Sequence, residues 1–191
     1  MPTTRTRLLV CTAVAVTAFV RLGVAPTYKP IEQRQLTTAA PAGPVSFDGL
    51  WRLSSAVVEG IVEKVDAVEP ARSRVTVRLV EIYRDDARVS APGGELQVFM
   101  AGALTDRGAY IEAVEDPSAP LLRRNQRAIL FLRRAGLART FDLATGSHDS
   151  LYLIDGAAVA SHGRSALARR LAEQSHGEFA ALLRAMRRAG R

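Results

Sequence analysis

Residues 56–65, Ala-Val-Val-Glu-Gly-Ile-Val-Glu-Lys-Val, and residues 74–84, Arg-Val-Thr-Val-Arg-Leu-Val-Glu-Ile-Tyr-Arg, decide the fold of this 191-residue chain. Both are rich in β-branched residues, and the segment between them contains Pro70, which predicts two strands joined by a loop. The apolar positions of the second stretch change phase after Leu79, which predicts a β-bulge. Gly60 in mid-strand predicts a bend or a close backbone approach. A bulge and a glycine kink favour a small closed barrel over a two-sheet sandwich, which is the alternative.

The rest of the chain predicts more short strands with helices around them. Apolar runs predict strands at 95–100, 127–132 and 141–143, and a hairpin of 150–154 with 157–160 that turns at Asp155-Gly156. Helices are predicted after Ser46, over 165–173, and after a capping box of Ser175 and Glu178. Residues 101–120 are predicted to form a long loop.

These elements predict a mainly β fold with flanking helices, namely a small OB-like barrel that is closed or partly open and is followed by a C-terminal amphipathic helix. The stripe of Phe179, Leu182, Leu183 and Met186 in this helix favours packing on the flank of the barrel over contact with lipid.

The net charge of +7 is unevenly distributed along the chain. The first 25 residues and residues 164–191 are basic, whereas basic and acidic residues nearly balance over 26–163. A nucleic-acid-binding domain usually concentrates basic charge on its binding face. The near-neutral body therefore makes nucleic acid an unfavoured partner, although nucleic-acid binding stays open as an alternative function.

The N-terminus predicts export. A short basic stretch precedes an uncharged, mostly apolar run, which is typical of a signal peptide, or of a membrane anchor over Leu8–Ala25 if it is not cleaved. Proline-rich residues 26–45 are then a linker, 46–163 the barrel domain, and 164–191 a basic helical segment packed on it. The single cysteine, Cys11, lies early in the apolar run, which does not fit lipidation. The chain is expected to be secreted or to lie on the outer face of the cell membrane.

The sequence contains few residues in patterns typical of catalysis. No histidine stands at metal-ligand spacing from another, and no cofactor or metal motif is present. The run Ser147-His148-Asp149-Ser150 is interpreted as a turn, because triad members come from separated segments. The speculative binding residues are Trp51, for which a packing role is favoured, and four residues of the 101–120 region: Tyr110, Glu112, Glu115 and Asp116.

A resemblance rests on the spacing of Ala56, Val58, Gly60 and Val62, on Val75, Val77, Val80 and Tyr83, on a Gly-Gly turn, and on the run Ala128-Ile-Leu-Phe-Leu. Over about residues 46–189 this pattern resembles exported bacterial proteins of unknown function that carry a small OB-like barrel. It is more distantly similar to the netrin module of metalloprotease inhibitors. Those inhibitors act through an N-terminal cysteine and disulfides that the mature chain would lack, so their activity is not implied.

The leading functional hypothesis is an exported, non-enzymatic barrel that binds a protein, peptide or glycan in the cell envelope. Its partner would be an unidentified envelope protein or peptide, and the membrane itself if Leu8–Ala25 is uncleaved. The alternative is a nucleic-acid-binding OB fold. A third hypothesis is an envelope hydrolase, which requires two of Glu112, Glu115, Asp116 and His148 to share one cleft.

Overall fold

The computed structural model describes residues 29–35, 46–69, 71–89, 91–115, 121–136 and 140–190. The predicted signal or anchor, most of the predicted linker and Asp116 lie outside these ranges. The described part contains ten strands, a 3-10 helix and three α-helices. In chain order they are β1 Ile31–Gln35, α1 Phe47–Leu53, β2 Ala56–Glu69, β3 Arg72–Asp85, β4 Glu95–Ala101, β5 Ala103–Asp106, β6 Ile111–Glu115, β7 Arg127–Arg134, β8 Thr140–Leu143, the 3-10 helix His148–Ser150, β9 Leu151–Asp155, β10 Ala158–Ser161, α2 Ala166–Ala172 and α3 His176–Arg188.

Five strands close into a small barrel. Strands β7, β2, β3, β4 and β8 are neighbours in that order, and β8 pairs back with β7. The β4–β8 pairing is parallel, whereas the other four are antiparallel. The β9–β10 hairpin extends the sheet along the part of β7 that β8 leaves open. The predicted mainly β fold with a closed barrel is confirmed, and the connectivity is compatible with an OB-like fold.

The β2–β3 hairpin bends where the sequence predicts it to bend. Glu59 pairs with Glu81 and Gly60 pairs with Leu79, so Val80 bulges out of the ladder. A Cβ placed on Gly60 would lie 2.3 Å from a methyl carbon of Val77, so the neighbouring strand occupies the space of a side chain. The predicted bulge and the predicted close approach are both confirmed.

Two apolar cores lie on opposite sides of the barrel wall. The inner core fills the barrel with inward-facing residues of its five strands. The outer core lies between the outer face of β2, β3 and β7 and the three helices, and it includes Trp51, Phe131, Tyr152 and Phe179. The rings of Tyr152 and Phe179 meet edge to face at 5.0 Å between centroids. Burial of Phe179 and Leu183 confirms that α3 packs on the barrel flank.

The helices begin where the sequence predicts. The Ser46 side chain accepts a hydrogen bond from the backbone N–H of Gly49 at 3.1 Å, and Ser165 caps α2 in the same way. Ser175 and Glu178 form the predicted capping box at the start of α3. No helix among the described residues has the length and apolar composition needed to cross a membrane.

The predicted loop over 101–120 is wrong in its first part. Residues 103–106 and 111–115 form the antiparallel pair β5–β6, which turns through Gly108 at a positive φ of 85°. Strand β1, from the predicted linker, adds to β6 in parallel and completes a three-stranded sheet. These strands have four or five residues and mixed polarity, so they lack a clear alternating pattern.

The turn of the last hairpin lies one residue later than predicted. Asp155 pairs with Ala158, so the two turn residues are Gly156 and Ala157. Gly156 takes a positive φ of 59° at the first turn position, which glycine adopts without steric cost.

Candidate functional site

The residues proposed from the sequence do not gather at one place. Trp51 is 1% exposed and belongs to the outer core, with the guanidinium of Arg84 5.6 Å from its ring centroid. Tyr110 is half-buried at the turn between β5 and β6. Glu112 lies on β6, where its carboxylate accepts two hydrogen bonds from the Arg107 guanidinium, at 2.7 and 2.9 Å. Glu115 is the last residue of β6.

The segment around His148 is buried and connects to the start of α2. Residues 148–150 form a buried 3-10 helix directly before β9. The carboxylate of Asp149 accepts a hydrogen bond from the backbone N–H of Ser165 at 3.1 Å, which ties this helix to the start of α2. His148 is therefore fixed below the surface, whereas Glu112 lies in the separate three-stranded sheet.

A buried polar cluster, which sequence reasoning missed, joins three strands to α3. The side chain of Glu59 on β2 is only 2% exposed. Its carboxylate accepts hydrogen bonds from the Tyr83 hydroxyl at 2.7 Å and from Arg127 Nε at 2.5 Å, and it contacts His176 Nε2 at 3.1 Å. We call Glu59, Tyr83, Arg127 and His176 the Glu59 cluster. A carboxylate so deeply buried needs such partners, because an unpaired buried charge is costly.

The electrostatics of the Glu59 cluster keep Tyr83 protonated. Burial, followed by the hydrogen bond to Glu59, raises the pKa of Tyr83 above its ordinary value. The hydroxyl therefore remains a hydrogen-bond donor to Glu59. The cluster fixes the first turn of α3 against the barrel wall, and its carboxylate is buried. Its only signal in the sequence is a glutamate flanked by the apolar residues of a buried strand.

A wide surface depression lies beside the far half of β2. It has a volume of about 970 Å³, and its lining includes Ile61, Val65 and Ala67 of β2 and Thr76 of β3. Leu104 of β5 lines it from the three-stranded sheet. We call this depression, bounded on its other side by residues 122–125, the β2 groove.

The β2 groove combines apolar contact with charge. Leu104 is 51% exposed, which is high for a large apolar side chain, and Leu122 lies buried in the opposite wall. Arg78, which also lines the groove, forms an ion pair with Glu63, with 2.7 Å between Nε and the carboxylate. Arg123 and Arg124 are exposed on the wall and form no ion pair with any described residue. The groove therefore combines an apolar surface with two exposed guanidinium groups.

The outer face of β3 and β4 is the surface that many OB folds use for single-stranded nucleic acid. Three arginines of β3 point to this face, and each has an acidic partner: Arg72 pairs with Asp142, Arg74 with Asp66 and Arg78 with Glu63. The Arg72 guanidinium also covers the ring of Phe99, 4.4 Å from its centroid. Paired arginines and a covered aromatic ring are not the arrangement of a stacking platform for bases.

Within the described ranges, no three His, Cys, Asp or Glu side chains come together in a way that could hold a metal ion. The fold and the groove define a small closed β-barrel protein with helices on one flank and an open groove on another. No protein-family model matches the chain, and no curated protein matches it either.

Proposed function

We propose that this chain is an exported, non-enzymatic binding module of the cell envelope, an OB-like barrel that holds a protein partner in the β2 groove. The observation that carries the proposal is the groove itself. It lies on a part of the barrel wall that the three helices leave open, and it exposes Leu104 beside charged side chains. A depression with apolar and polar lining is the usual form of a recognition site.

Export is the second part of the proposal, and it rests on the basic and apolar N-terminal sequence. The absence of cysteine after residue 11 is compatible with export, because a barrel with two apolar cores does not need disulfides to be stable. Nucleic-acid binding is less well supported, because the arginines on the outer face of β3 already have acidic partners.

Site-specific photocrosslinking in the native host tests this function. A photoreactive phenylalanine analogue replaces Leu104 in the full-length chain. In a control chain it replaces Leu53, which is 55% exposed on α1 and does not line the groove. After irradiation of intact cells, we expect a covalent adduct with an envelope protein from position 104 and none from position 53.

Three results would contradict the proposal. Position 104 could give no adduct, both positions could give the same adducts, or the adduct could consist of nucleic acid. The intact mass of the chain in each cell fraction tests the export claim separately. A full-length, soluble cytoplasmic form would refute it.

A further inference from the structure

Along the β2 groove, the backbone edge of β2 has no strand partner among the residues that the structure describes. Strand β3 pairs with β2 over its whole length, from Ala56 to Glu69, whereas β7 pairs only with residues 56–61. The last backbone bonds on the β7 side are the 2.8 Å bonds of Val62 with Gln126 and Asn125. Beyond Val62, this edge forms no backbone bond with any described residue. Such a row of N–H and C=O groups is a template for an added strand.

The position of the edge makes it accessible. Lys64, Ala67 and Val68 are exposed at the end of β2, and Val68 is 39% exposed. Strand β5 approaches β2 here without entering its ladder among the described residues. The side chains of an added strand would point alternately into the groove and away from it, because side chains along a strand alternate between faces. Leu104 and Leu122 would then flank an apolar side chain of the added strand.

The charges beside this edge select the chemistry of the added strand. Lys64 and Arg74 share the carboxylate of Asp66, at 2.9 and 3.9 Å, so one negative charge stands against two positive charges. Arg123 and Arg124 stand on the wall without an ion pair in the described part of the chain, and they directly precede Asn125, which bonds to the edge. Glu95 also lines the groove, but it lies on β4, two strands away from this edge. A strand added to β2 therefore meets positive charge, which favours a carboxylate on the ligand.

We propose that the β2 groove binds an extended peptide segment of a partner protein by strand addition to β2, and that the segment carries an acidic residue close to an apolar one. The acidic residue binds Arg123 or Arg124, and the apolar residue packs against Leu104. This inference rests on the proposed function, because it names the partner chemistry of the same groove. It goes further in specifying main-chain recognition and an acidic motif.

Fluorescence anisotropy with synthetic peptides tests the inference on the purified full-length chain. The probes are labelled nonapeptides of Thr and Val that carry one central Asp next to one Leu, with blocked ends. A matched set has Asp replaced by Asn, and a second set is N-methylated on alternate amides to remove main-chain donors. We expect the Asp peptides to bind at low ionic strength. The Asn peptides should bind at least about tenfold more weakly, and so should the peptides that are N-methylated on one of the two sets of alternate amides.

Protein variants complete the test. We expect the double change Arg123→Gln and Arg124→Gln to weaken binding by about tenfold or more. The matched control is the double change Arg133→Gln and Arg134→Gln, which removes the same charge from an exposed pair at the end of β7, outside the groove lining. We expect this control to bind as the unmodified chain does.

The outcomes separate this inference from the proposed function. If the position-104 crosslink forms but the Asp peptides bind no better than the Asn peptides, or no better than either N-methylated register, the inference is overturned and the function stands. Equal weakening by both double variants would also overturn it, because the effect would then follow net charge alone. Self-association of the chain that Leu104→Asp abolishes would assign the groove to a second copy and overturn the inference. Binding that needs Asp, free amides and the 123–124 pair would establish it.

Discussion

Replacing Glu59 by glutamine should destabilise the barrel at the point where α3 attaches to it. The buried carboxylate accepts hydrogen bonds from the Tyr83 hydroxyl and the Arg127 guanidinium, and it contacts the His176 ring. Glutamine keeps the shape of the side chain but has only one acceptor oxygen, and its amide nitrogen would face a donor. One buried contact therefore changes from a charge-assisted bond to a clash of two donors.

The size of the effect follows from which bonds survive. Tyr83 and His176 both contact Oε2, whereas Arg127 contacts Oε1. An amide oxygen in the Oε2 position keeps the first two contacts, so the loss falls mainly on Arg127. A hydrogen bond to a charged group contributes about 1.5–3 kcal/mol. The Arg127 side chain is 42% exposed, so solvent screening reduces its share. We expect Glu59→Gln to lower the free energy of unfolding by about 2 kcal/mol, which corresponds to a fall in Tm of about 6 °C.

Urea unfolding measured by tryptophan fluorescence is a suitable assay. The chain has one tryptophan, Trp51, and its burial in the outer core makes its emission sensitive to loss of that core. The control is Glu63→Gln on the same strand. Glu63 is paired with Arg78 at the surface, so we expect a change within about 0.5 kcal/mol. Equal unfolding midpoints for the two variants would refute the reasoning, because the Glu59 cluster would then contribute no more than a surface pair.

Two further predictions concern the barrel hairpin. Gly60→Ala should cost about 1–3 kcal/mol, because the new Cβ would lie 2.3 Å from a methyl carbon of Val77, whereas Gly177→Ala, with nothing within 4 Å, should be neutral or stabilising in the helix. An unchanged urea midpoint for Gly60→Ala would contradict the close approach of the strands. The hydrogen bond from Arg184 holds the pKa of Glu81 below its ordinary value of 4.5, so its stabilising effect is complete above pH 4.5 and is lost as pH falls through the lowered folded value. Arg184→Gln should therefore lower the urea midpoint near neutral pH and match the unmodified chain in acid, and a difference that does not vary with pH would contradict this.

Much of the barrel could be predicted from the sequence because local patterns carry it. Alternating β-branched residues mark β2 and β3, and the change of phase after Leu79 marks a bulge wherever the strand is placed. The caps at Ser46 and Ser175 are equally local, since each depends on residues within one turn. Physical reasons that act over a few residues can be found without knowledge of the rest of the fold.

The remainder depends on contacts between distant segments. Glu59 and His176 are 117 positions apart, and nothing near Glu59 shows that a helix will cover its side of the strand. The sequence around His176 predicts the capping box of Ser175 and Glu178, but it gives no sign of the contact with Glu59. The parallel pairing of β1 with β6 likewise joins distant segments, because β1 precedes β2, β3 and β4 in the sequence and β6 follows them. Neither β1 nor β6 has an alternating pattern of its own. Such pairings follow from the register of the finished fold.

The groove and the Glu59 cluster both follow from the unequal lengths of the barrel strands. Strands β2 and β3 each have 14 residues, whereas β7 has eight and β8 has four. Short strands can close only the near half of a long hairpin, so β7 leaves the far half of β2 without a partner on that side among the described residues. The helices cover the near half, where Glu59 fixes α3, and the groove forms at the far half, where Leu104 and the 123–124 arginines stand. Because the two regions share a hairpin but no side chains, a change at Glu59 should alter stability and a change at Leu104 should alter binding, each without the other.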